Sequence, residues 1–500
     1  MCGIIGSFPA ADAQWVKHGI HLIQHRGPDD NGQVNTRWAS LGHTRLAILD
    51  VAQGQQPMSD GNLTIVFNGE IYNYQSLINK IPEKIDTRSD TRVVLKLYQY
   101  FGPDCVQWLD GMFAFAIQDG RQLFLARDPL GIKPLYYAQV NGVMHFASEI
   151  KALKSYLPAV REFPAGSCWH SRTGFKKYYT MQGLKAARKP QAKWAQAKDI
   201  QRIYYTIDQA VQKRMIADEG VPVGVSLSGG LDSSIIAALA RKSRQNLDTF
   251  AVGMEGSPDL AASQLVARHL KTQHHICTYT FTDMLKALPD VIYYLESYDA
   301  ALVRSAIPNY FLARLAAQDV KVILTGEGAD ELFAGYEYLH SVDDPQRLQD
   351  ELWTITGNLH NTNLQRTDRM TMAHGLEGRV PFLDTAVIRL AFQLPPAWKA
   401  PWQDRPEKAL LREAFEADLP GKIIRRPKQK FSQGTGSADL MADYAHQKIS
   451  DSEYAAAKLA GLCRSKEELL YYKIFKGQFG AGLHADVIGQ TRSITASELH

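Results

Sequence analysis

Long hydrophobic runs are missing from this sequence. Nowhere in its 500 residues is there a stretch near the roughly 18 consecutive apolar residues that a membrane helix needs, so no membrane partner is expected. The first residues carry no basic segment followed by an apolar run, which argues against a secretory signal. Cysteine is scarce: Cys2, Cys105, Cys168, Cys277 and Cys463 are odd in number and far apart. That spacing argues against a disulfide framework and a structural zinc site, and it makes a reducing cytoplasm the default setting. An excess of one charge is lacking too. The 56 basic and 52 acidic residues leave a scattered net charge of +4, too little to argue for a nucleic-acid partner. What is there is ordinary globular material, 45% hydrophobic and 22% charged, long enough for two to four domains with ample core.

The chain is organised around Val223-Gly224-Val225-Ser226-Leu227-Ser228-Gly229-Gly230-Leu231-Asp232-Ser233-Ser234. It reads as a buried strand, a glycine-rich turn and a helix from Ser233 to about Arg241. Two glycines let backbone N–H groups approach an anion, and the helix N-terminus points its positive end to the same place. Ser228, Ser233 and Ser234 add hydroxyls, and Asp232 offers a carboxylate to a metal ion. The loop lacks the Lys of a Walker A motif. Its Ser-Gly-Gly-Leu-Asp-Ser-Ser pattern instead resembles the pyrophosphate loop of ATP pyrophosphatases, which adenylate a carboxylate or carbonyl oxygen.

The N-terminus begins Met1-Cys2-Gly3-Ile4-Ile5-Gly6. Removal of Met1 would place a thiol and a free α-amine on one residue, so that the amine can take the thiol proton. Alone, Cys2 also fits a buried residue that starts a strand. Further on come the turn His25-Arg26-Gly27-Pro28-Asp29, a strand from His43 to Asp50 carrying Arg45, the polar turn of Val66 to Asn73, and Arg88-Ser89-Asp90-Thr91 opening a helix. An Asn side-chain amide followed by a Gly N–H supplies oxyanion-hole donors, and an Arg fork grips a carboxylate. Each piece has a plainer alternative: a salt-bridged Arg, a hairpin Asn-Gly, a helix-capping acid. Together these words resemble the class II, N-terminal-nucleophile glutamine amidotransferases. The resemblance implies Cys2 as nucleophile, Arg45 on the glutamine α-carboxylate with Leu46, Ala47, Ile48 and Leu49 lining the site, Asn68 and Gly69 as oxyanion hole, and Glu70 and Asp90 on the α-amine.

Residues 111–148 read as β-hairpins turning at Asp119-Gly120 and Asn141-Gly142. Arg127 to Tyr136 and Phe163 to Gly166 match the same family and read as scaffold. From Ser171 to Lys198 basic residues crowd in (Lys176, Lys177, Lys185, Arg188, Lys189, Lys193, Lys198) and the apolar pattern fades, the mark of a solvated linker. After it, helices over 200–216 and 259–270 alternate with strands over 223–227, 247–253, 274–281 and 320–324, the pattern of a parallel sheet covered on both faces. Ligands of such sheets sit beyond the carboxyl ends of the strands. There falls Thr325-Gly326-Glu327-Gly328-Ala329-Asp330-Glu331-Leu332-Phe333, whose three carboxylates call for cations, most naturally the magnesium carried by ATP.

These two loops, with Tyr298 to Arg304, Arg379 to Asp384 and Lys428-Gln429-Lys430-Phe431-Ser432, resemble the glutamine-hydrolysing asparagine synthetase family, over roughly residues 1–435. The resemblance implies that Leu227, Ser228, Gly229, Gly230, Asp232, Ser233, Ser234, Val252, Thr325, Gly326 and Lys428 bind ATP. It implies that Asp232 and Asp330 hold Mg2+, that Glu327 serves the acyl-adenylate or ammonia step, and that Arg304 meets pyrophosphate or the acidic substrate. Ala301 departs from the family's usual Thr, and Thr325 and Ala329 from its usual Ser. The tail beyond about residue 451 matches loosely and reads, at Tyr471 to Phe475, as a packing helix. The expectation is an α/β protein: an N-terminal-nucleophile α+β sandwich as glutaminase domain over residues 1–185, then a parallel-sheet ATP-pyrophosphatase domain over 186–500. Its substrates would be aspartate, glutamine and ATP. Another carboxylate acceptor on the same architecture is the alternative, and a homodimer is implied.

Overall fold

The computed structural model describes residues 2–181, 184, 194–342, 344–400, 405–428, 434–435, 439–480, 482–483 and 487–491. The expected domain boundary at 185/186 lies outside them. So do Lys185, Arg188, Lys189 and Lys193 of the expected linker and Gln429-Lys430-Phe431-Ser432 of the last family word.

The strands run, in chain order, β1 (Cys2–Phe8), β2 (Asp30–Asn35), β3 (Ser40–Arg45), β4 (Met58–Asp60), β5 (Leu63–Ile71), β6 (Gly111–Asp119), β7 (Gln122–Arg127), β8 (Tyr136–Val140), β9 (Val143–Ala147), β10 (Val160–Glu162), β11 (Ser167–His170), β12 (Gly174–Lys177), β13 (Val223–Ser226), β14 (Asp248–Gly253), β15 (Gln273–Thr278), β16 (Val322–Leu324) and β17 (Glu377–Arg379). The first twelve form two antiparallel sheets, ordered β10-β8-β9-β1-β3-β2 and β12-β11-β7-β6-β5-β4. The last five form a parallel sheet, β15-β14-β13-β16-β17.

Alternation along the strands builds the N-terminal sandwich. Ile4, Phe8 and Leu41 of one sheet meet Val66, Ala114, Ala116, Leu123 and Leu125 of the other. On its outer side the second sheet presents Ile65, Phe67, Phe113 and Phe115 to Val93, Val94 and Leu97 of the helix Asp90–Phe101. The first sheet presents Ile5, Ala138 and Ala147 to Val16 and Ile20 of the helix Ala13–Leu22. The result is helix, sheet, sheet, helix. In the second half the central strands β13, β14 and β16 bury apolar residues and lie between helices, while the edge strands β15 and β17 are largely polar. Ala197–Arg214 and Leu231–Ser243 cover one face, and Phe281–Leu295 and Ala300–Ala316 the other.

Three expectations need correction. The linker does not begin at Ser171, because Gly174–Lys177 pairs with Ser167–His170 as the sheet's edge strand. Lys176 and Lys177 are exposed on that edge, where lysines block further pairing, so their charge mimicked a solvated connector. The strand expected over His43–Asp50 ends at Arg45. The chain then leaves the sheet because Ala47 N–H donates to Asp29 Oδ2 (2.8 Å) and Ile48 O accepts from the Asp218 N–H (3.0 Å). Finally, β17 adds a fifth parallel strand that three residues could not announce.

The halves are locked together by buried ions. The guanidinium of Arg369, on the helix Asn363–Met372, donates to Ser148 O and pairs with Glu149 Oε1 and Glu296 Oε2, each at 2.9 Å. Glu296 in turn accepts the N–H groups of Ile150 and Lys151, both at 2.8 Å. Arg369→Ala removes a buried cation shared by Glu149 and Glu296, leaving Lys151 on both and Arg26 on Glu149 alone, a loss of about 3 kcal/mol. The expected outcome in a thermal-denaturation scan is an apparent Tm lower by roughly 10 °C.

Candidate active sites

Cys2 opens β1 on the face that Ile4 turns toward the opposite sheet, and its Cα partner across the ladder is Arg45. From the opposite sheet β5 brings Asn68 and Glu70, which share the face of Val66. A thiol, a guanidinium, an amide and a carboxylate thus converge at one end of the sandwich. Asn68 Oδ1 accepts from the Cys2 N–H at 3.1 Å. Its Nδ2 is buried with no partner, leaving a donor free. Burial pushes the Cys2 thiol up, with the Leu46 N–H opposing, so the thiol is protonated at neutral pH and needs a base to become a nucleophile.

Arg45 is held by carbonyls, Asp50 O at 2.7 Å and Val51 O at 3.2 Å. Among the described residues no carboxylate lies within ion-pair distance of it, so its charge is available to a ligand. Two buried carboxylates lie nearby. Asp90 accepts the N–H groups of Ile71 (3.0 Å) and Thr91 (2.7 Å), yet burial raises it to about 6. Glu70 is pushed well above the usual range by burial, with Glu377 and Asp90 adding to it, against Arg379 Nη2 at 3.7 Å. Such a pair gains from a cation placed between its members. Ser89, rather than Asp90, caps the helix, accepting from the Arg92 N–H. Leu46, Ala47 and Ile48 are buried, with the Leu46 N–H facing the Cys2 thiol, while Leu49 packs against the cluster beneath the Asp90–Phe101 helix.

The second site is a cleft of about 860 Å³ beyond the carboxyl ends of β13 and β16, neighbours in the middle of the parallel sheet. Ser228, Gly230, Asp232, Ser233, Thr325, Gly326, Glu327, Asp330, Lys428 and Arg304 all line it. Leu227, Gly229, Ser234 and Val252 are buried behind that wall, and Ser234 Oγ turns back to Gly230 O at 2.7 Å. The loop is preorganised: Ser228 Oγ lies 3.0 Å from Ser233 Oγ and accepts from the Gly230 N–H at 3.3 Å. Thr325 Oγ1 and Asp232 Oδ1 are buried without a hydrogen-bond partner, both on the wall of the cleft. Glu327 pairs with Arg366 Nη2 at 2.5 Å.

Two family models match this chain: a glutamine amidotransferase domain over residues 1–198 and asparagine synthase over 202–344 and 340–487. The chain belongs to the glutamine-hydrolysing asparagine synthetases. It is 37% identical to asparagine synthetase B of Escherichia coli (strain K12), across 99% of this chain and 95% of that one. It is 36% identical to a probable asparagine synthetase of Schizosaccharomyces pombe, across 95% and 93% respectively. With asparagine synthetase 2 of rice it shares 36% identity, covering 96% of this chain and 86% of the relative. The synthetase model reaches residue 487, well past the point near 435 where recognisable words thin out. Accordingly, Tyr471, Phe475 and Phe479 of the helix Lys466–Phe479 pack into the synthetase core.

In this synthetase two functional elements escaped sequence reasoning. Lys408 is buried with its Nζ 2.5 Å from both Asp232 Oδ2 and Asp330 Oδ1, and Lys428 Nζ lies 2.6 Å from Asp330 Oδ2. Against the upward push of burial, these two ammonium groups hold the Asp330 carboxyl well below the usual carboxylate range. Lys408 sits in no motif; only its lodging between two acids reveals it. Arg26 belongs to a word that reads as a turn, yet its Nε donates to Cys2 O at 3.0 Å and its Nη1 to Glu149 and Asp368, at 2.8 and 2.9 Å.

Gly229 holds the shape of the Ser228–Ser234 loop. Its φ of +74° is a left-handed conformation, and a Cβ there would come within 2.4 Å of the backbone between Ala262 and Ser263. Gly229→Ala is expected to raise the KM for ATP at least tenfold while glutaminase turnover stays within twofold of wild type, as read from pyrophosphate and glutamate release.

Proposed function

We propose that this chain makes asparagine from aspartate, ATP and glutamine, drawing ammonia from glutamine at Cys2 and passing it to a β-aspartyl-adenylate formed in the large cleft. The observation that carries the reading is the pairing, in one chain, of a thiol cup lined for an amino acid with a phosphate-cradling cleft, joined by one apolar cluster. In that cluster Leu46, Ile48, Tyr72, Met112, Leu130 and Ile132 pack with Ala329, Phe333, Leu364, Val380 and Leu383. An apolar path favours neutral ammonia over ammonium.

At the first centre, loss of Met1 would leave an α-amine on Cys2 to take the thiol proton. The thiolate attacks the glutamine side-chain carbonyl, and Asn68 Nδ2 with the Gly69 N–H receives the oxyanion. Ammonia leaves and water hydrolyses the thioester to glutamate. Arg45 holds the α-carboxylate, and Glu70 and Asp90 the α-ammonium. At the second centre an aspartate β-carboxylate oxygen attacks the α-phosphorus and pyrophosphate departs into the Ser228–Ser234 loop. Adenylation is needed because a bare carboxylate is a poor electrophile. Ammonia then displaces AMP, with Glu327 acting at the acyl centre and Lys428 facing phosphate charge. Lys408 joins it there.

Magnesium fits Asp232 and Asp330. Asp232 Oδ1 is buried without a hydrogen bond, and both acids already hold cationic lysine heads. Among the described residues there is no cluster of three or more His, Cys, Asp or Glu groups that could hold a metal alone. That suits an ion shared with the phosphates, where it supplies charge neutralisation. We place the glutaminase half at residues 1–185 and the synthetase half at 186–500, in a cytoplasmic homodimer; the five free cysteines are in keeping with a reducing setting.

Cys2→Ala is expected to abolish glutamine-dependent asparagine formation while synthesis from ammonium salts stays within about twofold of wild type; loss of both together overturns the two-centre reading. A pH series gives a second check. Asp90, at about 6 in the free protein, and Glu70, also raised, attract the α-ammonium only when ionised. As pH falls through 6 they take up protons and affinity is lost, so the KM for glutamine should rise severalfold between pH 7 and pH 5. Asp90→Asn should give a high KM at every pH.

A further inference from the structure

The segment Val487–Thr491 is held far more firmly than a trailing stretch requires. Val487 is buried against the N-terminal domain, in the cluster of Ile5 and Ile20, whereas Ile488 is buried in the synthetase core beside Ile307 and Phe311. Gly489 lies so close to the chain at Asn361 that a Cβ would fall 1.6 Å from Asn361 O, and its own carbonyl accepts from Ser297 Oγ at 3.1 Å. Thr491 donates its N–H and its hydroxyl to Asp299, at 2.9 Å each, and its carbonyl accepts from Arg464 Nη1 at 2.9 Å. Asp299 is buried and also caps the helix Ala300–Ala316 through the Leu302 N–H. The strap is thereby fastened to the start of that helix.

The attachment places it on the ATP cleft. Ile488, Gln490 and Thr491 line the cleft together with Ala301, Arg304 and Ser305. This is the side of the acyl chemistry: Arg366 donates to Ser305 Oγ at 3.1 Å and holds Glu327. The Ser228–Ser234 loop with Asp232, Asp330, Lys408 and Lys428 lines the same cleft. Arg304 has its Nε engaged by Glu467 Oε1 at 3.3 Å and by Ala300 O at 3.3 Å. No carboxylate other than Glu467 pairs with it among the described residues, so guanidinium nitrogens remain for an anion. Ala301 gives this wall only a methyl group, and the strap adds polar atoms to those of Arg304, Ser305 and Asn309. Gln490 is exposed to the cleft and carries both a donor and an acceptor.

We propose that the strap Val487–Thr491 forms one wall of the acceptor subsite, and that Gln490, which lines the same cleft as Arg304, is a specificity residue for an amino-dicarboxylic acid. Arg304 meets the α-carboxylate and the Gln490 amide oxygen accepts from the α-ammonium, leaving the β-carboxylate toward Glu327 and the phosphates. This rests on the proposed aspartate reaction, and goes beyond it by naming what reads the acceptor.

The test uses the full-length enzyme with ammonium chloride as nitrogen source, which removes the glutaminase from the measurement. Q490A should raise the KM for aspartate five- to tenfold, with kcat at saturating aspartate and the KM for ATP within twofold of wild type. T491V keeps the shape of the strap but loses the hydroxyl's bonds to Asp299, and should raise the KM for aspartate in the same direction. Q490E, whose carboxylate still accepts from an ammonium, should retain a KM for aspartate nearer wild type than Q490A. An unchanged KM for aspartate in Q490A, or equal rises for aspartate and ATP, overturns the proposal. Failure of the wild-type enzyme to release pyrophosphate with aspartate would instead overturn the reaction on which it rests.

Discussion

A fully buried guanidinium at Arg26 is the interaction on which the two-centre architecture depends. It touches the backbone carbonyl of the nucleophile, a carboxylate of its own domain and a carboxylate of the other. Burying such a charge is costly unless it is enclosed by partners, and here both Glu149 and Asp368 are as deeply buried as Arg26. Both are held below their usual range despite burial: His25, Lys151 and Arg369 carry Glu149 well below it, and Arg26, Lys133 and Arg369 lower Asp368. The network closes only if both domains are in place.

That requirement explains why the N-terminal domain is shaped as it is. The sandwich core sets strand register, and register alone aims Cys2, Arg45, Asn68 and Glu70 at a common space. It does not fix how that space opens. The opening is set where Leu46 and Ile48 leave the sheet and pack on the synthetase half, bringing apolar surface to the domain junction. Burial is also what raises Asp90 and Glu70, so a single cause shapes both the acidic pair and its apolar surroundings.

Much of this was legible in the sequence, and the pattern of what was not is instructive. Contiguous words carried the candidate nucleophile, the candidate Asn68-Gly69 donors, the Ser228–Ser234 loop and the acid-rich loop after β16, because each depends on one strand end and the turn after it. The alternating helices and strands of the second half also declared a parallel sheet. What escaped depends on partners distant in sequence. Lys408 gains its place from Asp232, 176 residues away, and Arg26 from Asp368, 342 residues away. The lysines of β12 misled because an edge strand and a solvated linker make the same demand for charge. Beyond residue 451 the chain carries no motif at all; Thr491 becomes informative only through Asp299, 192 residues earlier.

The helix Asn363–Met372 has a consequence for how the centres stay aligned. Arg366 grips Glu327, and Asp368 holds the arginine that holds Cys2. At 1.5 Å rise per residue, those two grips are about 3 Å apart along the axis. Both centres are therefore gauged from one short rod, as two tools are set from a common datum. A displacement of this helix carries the Glu327 contact and the Arg26 contact together.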